Sequence, residues 1–298
     1  MDSILSGLSL KDAGIALLDL AMPRRCIVCR RPLGLRERFI CLDCQADFPY
    51  TSFWLLPHNP MADKFNARLQ EDLDRIAPGV PVVSAAPAAP PDSDSPSAPG
   101  AGREPYAYAA ALFFYNADSD FRHIPWHLKY EGGLAAGRHF ARMLGERLAA
   151  APHFADVDVV VPVPLHWSRQ WRRGYNQAEV IARELADVLG ASLRTDILRR
   201  SRRTRSQVRL APSAKADNVR GAFSLRLPAG YSQNSRNLRE MPAGCARKCC
   251  NLRATHVLLV DDTFTTGSTL NACRAVLRQA FPLPTRISVA TLAFVTPE

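Results

Sequence analysis

The segment that most constrains the fold lies at residues 257–269 and reads VLLVDDTFTTGST. Its first four residues are all Val or Leu, which is typical of a central parallel strand covered on both faces. Two carboxylates, Asp261 and Asp262, follow directly, and then a short loop rich in hydroxyl groups. The apolar residues that come next share one helical face. The segment therefore predicts a parallel sheet, with a loop at its edge that leads into a packed helix.

The loop of this segment has the chemistry of a phosphate-binding site. A loop that begins a helix at the C-terminal edge of a parallel sheet presents backbone N–H groups and the positive end of the helix dipole. Gly267 permits close approach of the backbone, and hydroxyl donors surround it: Thr265, Thr266, Ser268 and Thr269. Asp261 and Asp262 supply acceptors for a sugar diol or a hydrated magnesium ion. The implied ligand is a sugar phosphate.

The same residues resemble the phosphoribosyl diphosphate (PRPP) signature of type I phosphoribosyltransferases, an apolar strand followed by two acids and TGST. The resemblance implies that Asp261 and Asp262 contact the ribose 2- and 3-hydroxyls, which makes them the catalytic candidates. It implies that residues 265–269 hold the 5-phosphate, and that Mg²⁺ accompanies PRPP. A strand end with an ordinary Thr/Ser helix cap is the alternative reading of these residues.

Four of the eight cysteines have the spacing of metal ligands. Cys26, Cys29, Cys41 and Cys44 form two CxxC pairs that are separated by eleven residues. Two such turns can close a tetrahedral zinc site of four thiolates, which leaves no position open for water. We therefore predict a structural Zn²⁺. Redox-active cysteine pairs are the alternative, although a thioredoxin-like motif needs one CxxC rather than two.

A second apolar run at residues 157–163 ends in a turn rich in proline that is followed by several cations. As a parallel strand, it would place this turn at the same C-terminal edge of the sheet. A helix is predicted to begin next, with Asn176 as its N-cap. Further elements are predicted at residues 108–115, 134–148 and 193–198. This alternation predicts an α/β fold with a doubly wound parallel sheet.

Composition divides the chain into three parts. Residues 1–67 are assigned to an N-terminal helix and the zinc module, and residues 68–104 to a disordered linker rich in Ala, Pro and Ser. Residues 105–298 are assigned to the main domain, with an insertion at 228–253. The insertion contains Cys245, Cys249 and Cys250, for which metal binding and redox activity remain open. No run approaches the roughly 20 apolar residues of a membrane span, and we expect a cytoplasmic protein.

The set of motifs resembles the ComF (competence protein F) family: a double-CxxC module, then LKY with a following glycine, VPVPL, RGYNQAE, TxxQ, NVRGAF and the PRPP signature. The resemblance implies a type I phosphoribosyltransferase fold with diphosphate bound after the strand at 157–163. The candidates there are Pro164, Leu165, Arg169, Arg172 and Arg173. It also implies that residues 202–218 cover the site and that Lys129 contacts phosphate. For each arginine, a solvated basic surface is the alternative.

The chemistry that this resemblance implies is displacement of diphosphate from C1 of the ribose by a nitrogen nucleophile. Thr265 stands where purine-salvage members of the superfamily carry an Asp general base. Neither a base nor an acceptor is therefore identified, and whether the protein is an enzyme stays open.

Binding of nucleic acid is the second functional hypothesis. The net charge is +10, and six arginines lie at residues 24–38 beside the zinc ligands. A zinc module with a basic surface can bind phosphates of single-stranded DNA. The resemblance implies a link to DNA uptake and natural transformation, with competence proteins as partners, or to nucleotide metabolism. In this reading the PRPP site is regulatory or vestigial. A structural zinc scaffold with a vestigial site is a third reading.

Overall fold

A five-stranded parallel sheet forms the centre of the computed structural model, which describes residues 17–20, 22–76, 104–201, 221–226 and 254–296. The strands are β1 (Ala109–Tyr115), β2 (Val159–Pro162), β3 (Ser192–Leu193), β6 (His256–Phe264) and β7 (Arg286–Val295). Their order is β1-β7-β6-β2-β3, and every pair is parallel. A separate antiparallel pair consists of β4 (Leu198–Arg200) and β5 (Phe223–Leu225).

Helices cover both faces of the sheet. One face carries α4 (Leu134–Ala149) and α6 (Gln177–Leu189), and the other carries α2 (Pro60–Ile76) and α7 (Ser268–Leu277). Alternate residues of strand β6 point to opposite faces of the sheet, and each set packs with a different pair of helices. Leu258 and Val260 pack with the first pair of helices, while Val257 and Leu259 pack with the second. This confirms the predicted doubly wound α/β fold.

The predicted strand at residues 193–198 was wrong, because the chain turns within it. Its first residue ends β3 in the main sheet, and Leu198 begins β4 in the antiparallel pair. Between them, Arg194 Nε donates to Asp196 Oδ1 over 2.8 Å. This local ion pair stabilises the turn that separates the two short strands.

The N-terminal module packs onto the first face of the sheet. Its short helix α1 (Leu42–Ala46) carries one of the cysteines, and the next residues join the sheet core. The ring of Phe48 lies 5.3 Å from that of Phe113 in β1 and 6.0 Å from that of Phe140 in α4. Tyr50 forms an antiparallel bridge with Phe113. The module and the sheet therefore share one hydrophobic core.

Helix α2 continues to Ile76, so the predicted module boundary at residue 67 falls inside a helix. At the far end of the predicted linker, Glu104 is buried and forms ion pairs with Arg274 and Arg278. The remaining predicted linker, the loop at 202–218 and the whole predicted insertion at 228–253, with Cys245, Cys249 and Cys250, lie outside the described residues.

Two further helices occupy the C-terminal edge of the sheet. Helix α3 (His123–Tyr130) follows β1, and α5 (Trp167–Arg173) follows β2. The first is preceded by a short 3-10 turn at Asp120–Arg122, and similar turns form at Phe53–Leu55 and Pro152–Phe154. Within the described ranges, no helix has both the length and the apolar character that crossing a bilayer requires.

Candidate functional site

A cavity of about 510 Å³ opens at the C-terminal edge of the sheet, where β2 and β6 end. It brings together most of the residues that the sequence singled out: Asp261, Asp262, Thr265, Gly267, Ser268, Thr269, Pro164, Leu165, Arg169 and Arg173. Thr266 and Arg172 are not in its lining. Arg172 is exposed on α5, and the hydroxyl of Thr266 pairs with Ser268 over 2.8 Å. The predicted sugar, phosphate and diphosphate segments thus face one space.

The hydroxyl-rich loop is held in shape by Gly267 and Phe264. Gly267 has a φ of +73°, and a Cβ at this position would lie 2.9 Å from Cζ of Phe264. Only glycine combines this left-handed backbone with so close a ring. Helix α7 begins at the next residue, so its first N–H groups lie beside the cavity.

Helix α2 supports this loop from behind with two cations. Lys64 Nζ donates to the Thr265 carbonyl over 2.9 Å. Arg68 Nη1 donates to the Thr266 carbonyl over 2.6 Å and to Ser268 Oγ over 2.8 Å. The sequence analysis did not identify either residue, because about 200 positions separate them from the loop and no local motif links the two.

The two carboxylates at the end of β6 are coupled to each other and to Lys129. The Asp262 N–H donates to Asp261 Oδ1 over 2.8 Å, and Lys129 Nζ lies 2.9 Å from Asp262 Oδ2. Burial, and then the charge of Asp262, raise the pKa of Asp261 to about 7. Burial opposes the charge of Lys129, but the Asp262 carboxylate outweighs it and raises the pKa of Lys129. The two carboxyl groups are therefore coupled in their ionisation, and the Lys129 ammonium group compensates the negative charge on Asp262.

The residues after β2 form the basic wall of the cavity, which carries Arg169 and Arg173, and neighbouring polar side chains hold it in place. Asn176 caps α6 by accepting from the Ala178 N–H over 3.2 Å, as predicted, and its amide donates to the Val163 carbonyl over 3.0 Å. The Tyr175 hydroxyl and the Gln177 amide both donate to the Leu128 carbonyl. The RGYNQ residues thereby fix the helix that carries Lys129.

Arg173 and Arg200 add cations that lie over aromatic rings. The Arg173 guanidinium lies 5.2 Å from the centre of the Tyr130 ring, and that of Arg200 lies 5.1 Å from the Phe223 ring. Both arginines line the cavity. Burial lowers the pKa of Arg200. The sequence analysis did not single out Arg200, since the β4–β5 pairing that brings it to the cavity is not visible in composition.

The four module cysteines meet at one point, with their sulfur atoms within 4.8 Å of one another. Cys29 Sγ and Cys41 Sγ are 3.6 Å apart, close to the roughly 3.8 Å expected for thiolates around tetrahedral zinc. The Cys41 N–H donates to Cys26 Sγ over 3.4 Å, and Arg31 Nε to Cys29 Sγ over 3.5 Å. The Arg31 contact lowers the pKa of Cys29 to about 6. This donor set fits a structural Zn²⁺.

Comparison with known proteins supports the resemblance over part of the chain. No protein-family model matches. Competence protein F of Haemophilus influenzae is 35% identical over 122 residues, 41% of this chain and 44% of that protein. DNA utilization protein YhgH is 32% identical in Salmonella typhi and 30% identical in Escherichia coli K12, each over 113 residues, 38% of this chain and 40% of the relative.

A solved structure, that of TT1426 from Thermus thermophilus, is 19% identical, with a TM-score of 0.28 over 54% of this chain and 84% of that one. The chain spans less than half the length of the curated relatives that it matches. The sequence identity to competence protein F over this part of the chain and the four-cysteine cluster support the resemblance to the ComF family.

Proposed function

We propose that this protein binds PRPP with Mg²⁺ and acts, as a phosphoribosyltransferase-like member of the ComF family, in the handling of incoming DNA. One observation carries the PRPP proposal. A single cavity joins an acid pair, a hydroxyl-rich loop at a helix N-terminus and a basic wall. The names of the relatives, competence protein F and DNA utilization protein, support the biological setting.

The arrangement of charge matches a ligand with phosphate at both ends and a sugar between them. The loop at residues 265–269 would hold the 5-phosphate through backbone N–H groups and hydroxyls. Asp261 and Asp262 would accept hydrogen bonds from the ribose diol. Arg169 and Arg173, which also line the cavity, would neutralise the diphosphate. The volume of about 510 Å³ lies within the usual range of small-molecule sites.

The transfer step would break the bond between C1 of the ribose and the diphosphate oxygen. The Asp261 and Asp262 carboxylates are hard oxygen ligands of the kind that Mg²⁺ prefers, and the ion would offset charge on the leaving group. The chain's own part is to orient the ribose and to stabilise the departing diphosphate through Arg169 and Arg173. Among the described residues that line the cavity, Asp261 and Asp262 are the only carboxylates. A general base is therefore not assigned.

Calorimetric titration of the protein with PRPP in the presence of Mg²⁺ tests this proposal. We expect saturable binding in the wild type and a loss of at least about tenfold in affinity, or 1.4 kcal/mol, in an Asp261→Asn, Asp262→Asn double variant. An Asp118→Asn, Asp120→Asn double variant is the matched control, because it makes the same charge change at two exposed positions. No binding by the wild type, or equal affinity in both double variants, would refute the proposal.

Single-stranded DNA binding is the second candidate function, supported by exposed aromatic residues beside cations. Trp167 is 73% exposed and Trp171 is 87% exposed, one turn apart on α5. Arg172 is exposed on the same helix. Exposed rings beside arginines suit base stacking combined with phosphate contact.

Fluorescence anisotropy with a labelled oligothymidylate tests this second function. We expect affinity that falls steeply with salt concentration, and a Trp167→Ala, Trp171→Ala double variant that binds at least about tenfold more weakly. The Asp261→Asn, Asp262→Asn variant should retain DNA binding. DNA affinity that is absent at low salt, or that is unchanged in the tryptophan variant, would remove this candidate.

A further inference from the structure

A second cavity, of about 680 Å³, adjoins the candidate PRPP site. The two cavities share Tyr115, Lys129 and Tyr130, so these side chains stand between them. Lys129 is the residue that pairs with Asp262. A molecule in the second cavity would therefore lie next to the groups proposed to hold the ribose.

The lining of the second cavity combines exposed aromatic rings with cations. Trp126 is 46% exposed and Tyr130 is 59% exposed, and their ring centres are 5.6 Å apart on adjacent turns of α3. Arg30 and Arg122 also line this space, and none of the described residues in its lining is acidic. Arg30 Nη1 forms an ion pair with Glu131 Oε2 at 3.8 Å, beyond hydrogen-bond distance, and Arg122 Nη1 donates to the Ala117 carbonyl. Such a surface favours a flat ring that carries a negative charge.

The zinc module positions Arg30. This residue directly follows Cys29 and has a φ of +63°, a left-handed conformation that is uncommon outside glycine. Its N–H donates to the Cys26 carbonyl over 3.0 Å, which closes the turn that presents the two sulfur atoms. His123 Nδ1 lies 3.0 Å from the Val28 carbonyl and ties the same turn to α3. The turn that carries Cys26 and Cys29 thus also presents a guanidinium group to the second cavity.

We propose that the second cavity binds the acceptor, and that the acceptor is a planar aromatic nitrogen compound with a negatively charged substituent. This inference rests on the proposed PRPP function. The nitrogen lone pair forms the bond to C1 of the ribose while the bond from C1 to the diphosphate oxygen breaks, and diphosphate leaves with that electron pair. Where the nitrogen carries a hydrogen, the proton passes to the departing diphosphate. Trp126 and Tyr130 stack on the ring, and Arg30 and Arg122 bind the anionic group.

The test uses 2-aminobenzoate as the probe and 2-aminobenzamide as its neutral counterpart of the same shape. Binding to the zinc-loaded, full-length protein is measured by calorimetry, with and without PRPP and Mg²⁺. We expect the acid to bind at least about tenfold more tightly than the amide. We expect a similar loss of acid binding in Trp126→Ala and in Arg30→Asn, since Asn removes the charge but tolerates the left-handed backbone.

Trp171→Ala is the matched control, because it removes an exposed tryptophan outside both cavity linings. It should bind the probe as the wild type does. All variants should retain the melting temperature and the PRPP affinity of the wild type. Equal binding of the acid and the amide, or unchanged binding in Trp126→Ala, would overturn the inference.

The two proposals fail in different ways. A wild-type protein that binds PRPP, but neither 2-aminobenzoate nor pyridine-3-carboxylate at millimolar concentration, would overturn the acceptor site and leave the PRPP proposal standing. A wild-type protein that binds 2-aminobenzoate but not PRPP would overturn both the PRPP proposal and the acceptor role.

Discussion

Asp261 sits at the end of a buried strand with its pKa raised to about 7 by burial and by the neighbouring Asp262. A carboxyl group whose pKa is higher in the folded than in the unfolded chain makes folding less favourable as the pH rises from about 4 to above 7. Because one pKa unit corresponds to about 1.4 kcal/mol, we expect Asp261→Asn to increase the free energy of unfolding at pH 8 by about 1 to 3 kcal/mol. At pH 5 the gain should be much smaller.

Urea unfolding at the two pH values measures this effect. Asp118→Asn is the control, because Asp118 is exposed in the loop after β1. A stability gain in Asp261→Asn that does not depend on pH would contradict the electrostatic explanation. If the prediction is confirmed, the ionised Asp261 carboxylate lowers the free energy of unfolding of the wild-type protein at pH 8.

Gly267 allows a second prediction at the residue scale, on the cost of a side chain in the hydroxyl-rich loop. In Gly267→Ala the new methyl group meets both the left-handed backbone and the Phe264 ring at 2.9 Å. We expect destabilisation of about 2 to 4 kcal/mol, together with weaker PRPP binding. Gly132→Ala isolates the backbone cost, because Gly132 has a φ of +66° but no atom of the described residues within 4 Å of an added Cβ. Chemical denaturation of both variants separates the two costs, and equal losses would show that the Phe264 contact is unimportant.

At the scale of elements, helix α2 acts as a support for the loop at 265–269. Arg68 donates to a loop carbonyl and to Ser268 Oγ. We expect Arg68→Gln to weaken PRPP binding about five- to tenfold, because the loop loses charge-assisted hydrogen bonds that hold its shape. Arg142→Gln, on the exposed side of α4, is the control. Hydrogen exchange at residues 265–268 should accelerate in Arg68→Gln alone, and unchanged exchange would argue against a supporting role.

The opposite edge of the sheet contains a Ser–His–Asp arrangement that we interpret as structural. His256 Nδ1 lies 2.7 Å from Asp156 Oδ1, and His256 Nε2 lies 2.7 Å from Ser288 Oγ. Ser288 is fully buried, and its Oγ also accepts from the Tyr108 N–H over 3.1 Å. A nucleophile without access to a substrate cannot catalyse hydrolysis, whereas these contacts join the segments around β1, β6 and β7.

The variant Ser288→Ala tests whether the Ser288–His256–Asp156 arrangement is structural. We expect it to destabilise the protein by about 1 to 3 kcal/mol, because the Tyr108 N–H and the buried His256 ring lose a partner. PRPP binding should stay at the wild-type value, since the site lies at the other edge of the sheet. Thermal melting and calorimetry check the two statements, and a loss of PRPP affinity without a loss of stability would contradict them.

At the scale of the whole molecule, the zinc module and the sheet share a core, so metal binding should stabilise both. Phe48, a few residues after Cys44, packs against Phe113 and Phe140. We expect a metal chelator to lower the melting temperature of the main unfolding transition by at least about 5 °C. A chelator already saturated with zinc is the control. A separate low-temperature transition with an unchanged main transition would show that the module unfolds independently.

Local patterns in the sequence predicted the elements whose cause is local. Four consecutive apolar residues identified β6, the CxxC spacing identified the cluster of four cysteines, and Asn176 identified the start of α6. These features depend on residues that are close together along the chain, so the amino-acid sequence is enough to predict them. The strand at 193–198 was mispredicted because an apolar run does not reveal where a short turn divides it.

From the order of its residues alone, the chain predicts an α/β fold, an acid pair followed by a hydroxyl-rich loop, and four cysteines at the spacing of metal ligands. Which distant groups surround that loop depends on the tertiary structure. Lys64 and Arg68 reach it from α2, Lys129 reaches Asp262 from α3, and Arg200 enters from β4. It also placed Arg30 of the zinc module beside Trp126. The physical reason is that these contacts depend on how the helices pack on both faces of the sheet, and packing joins residues whose separation along the chain carries no pattern.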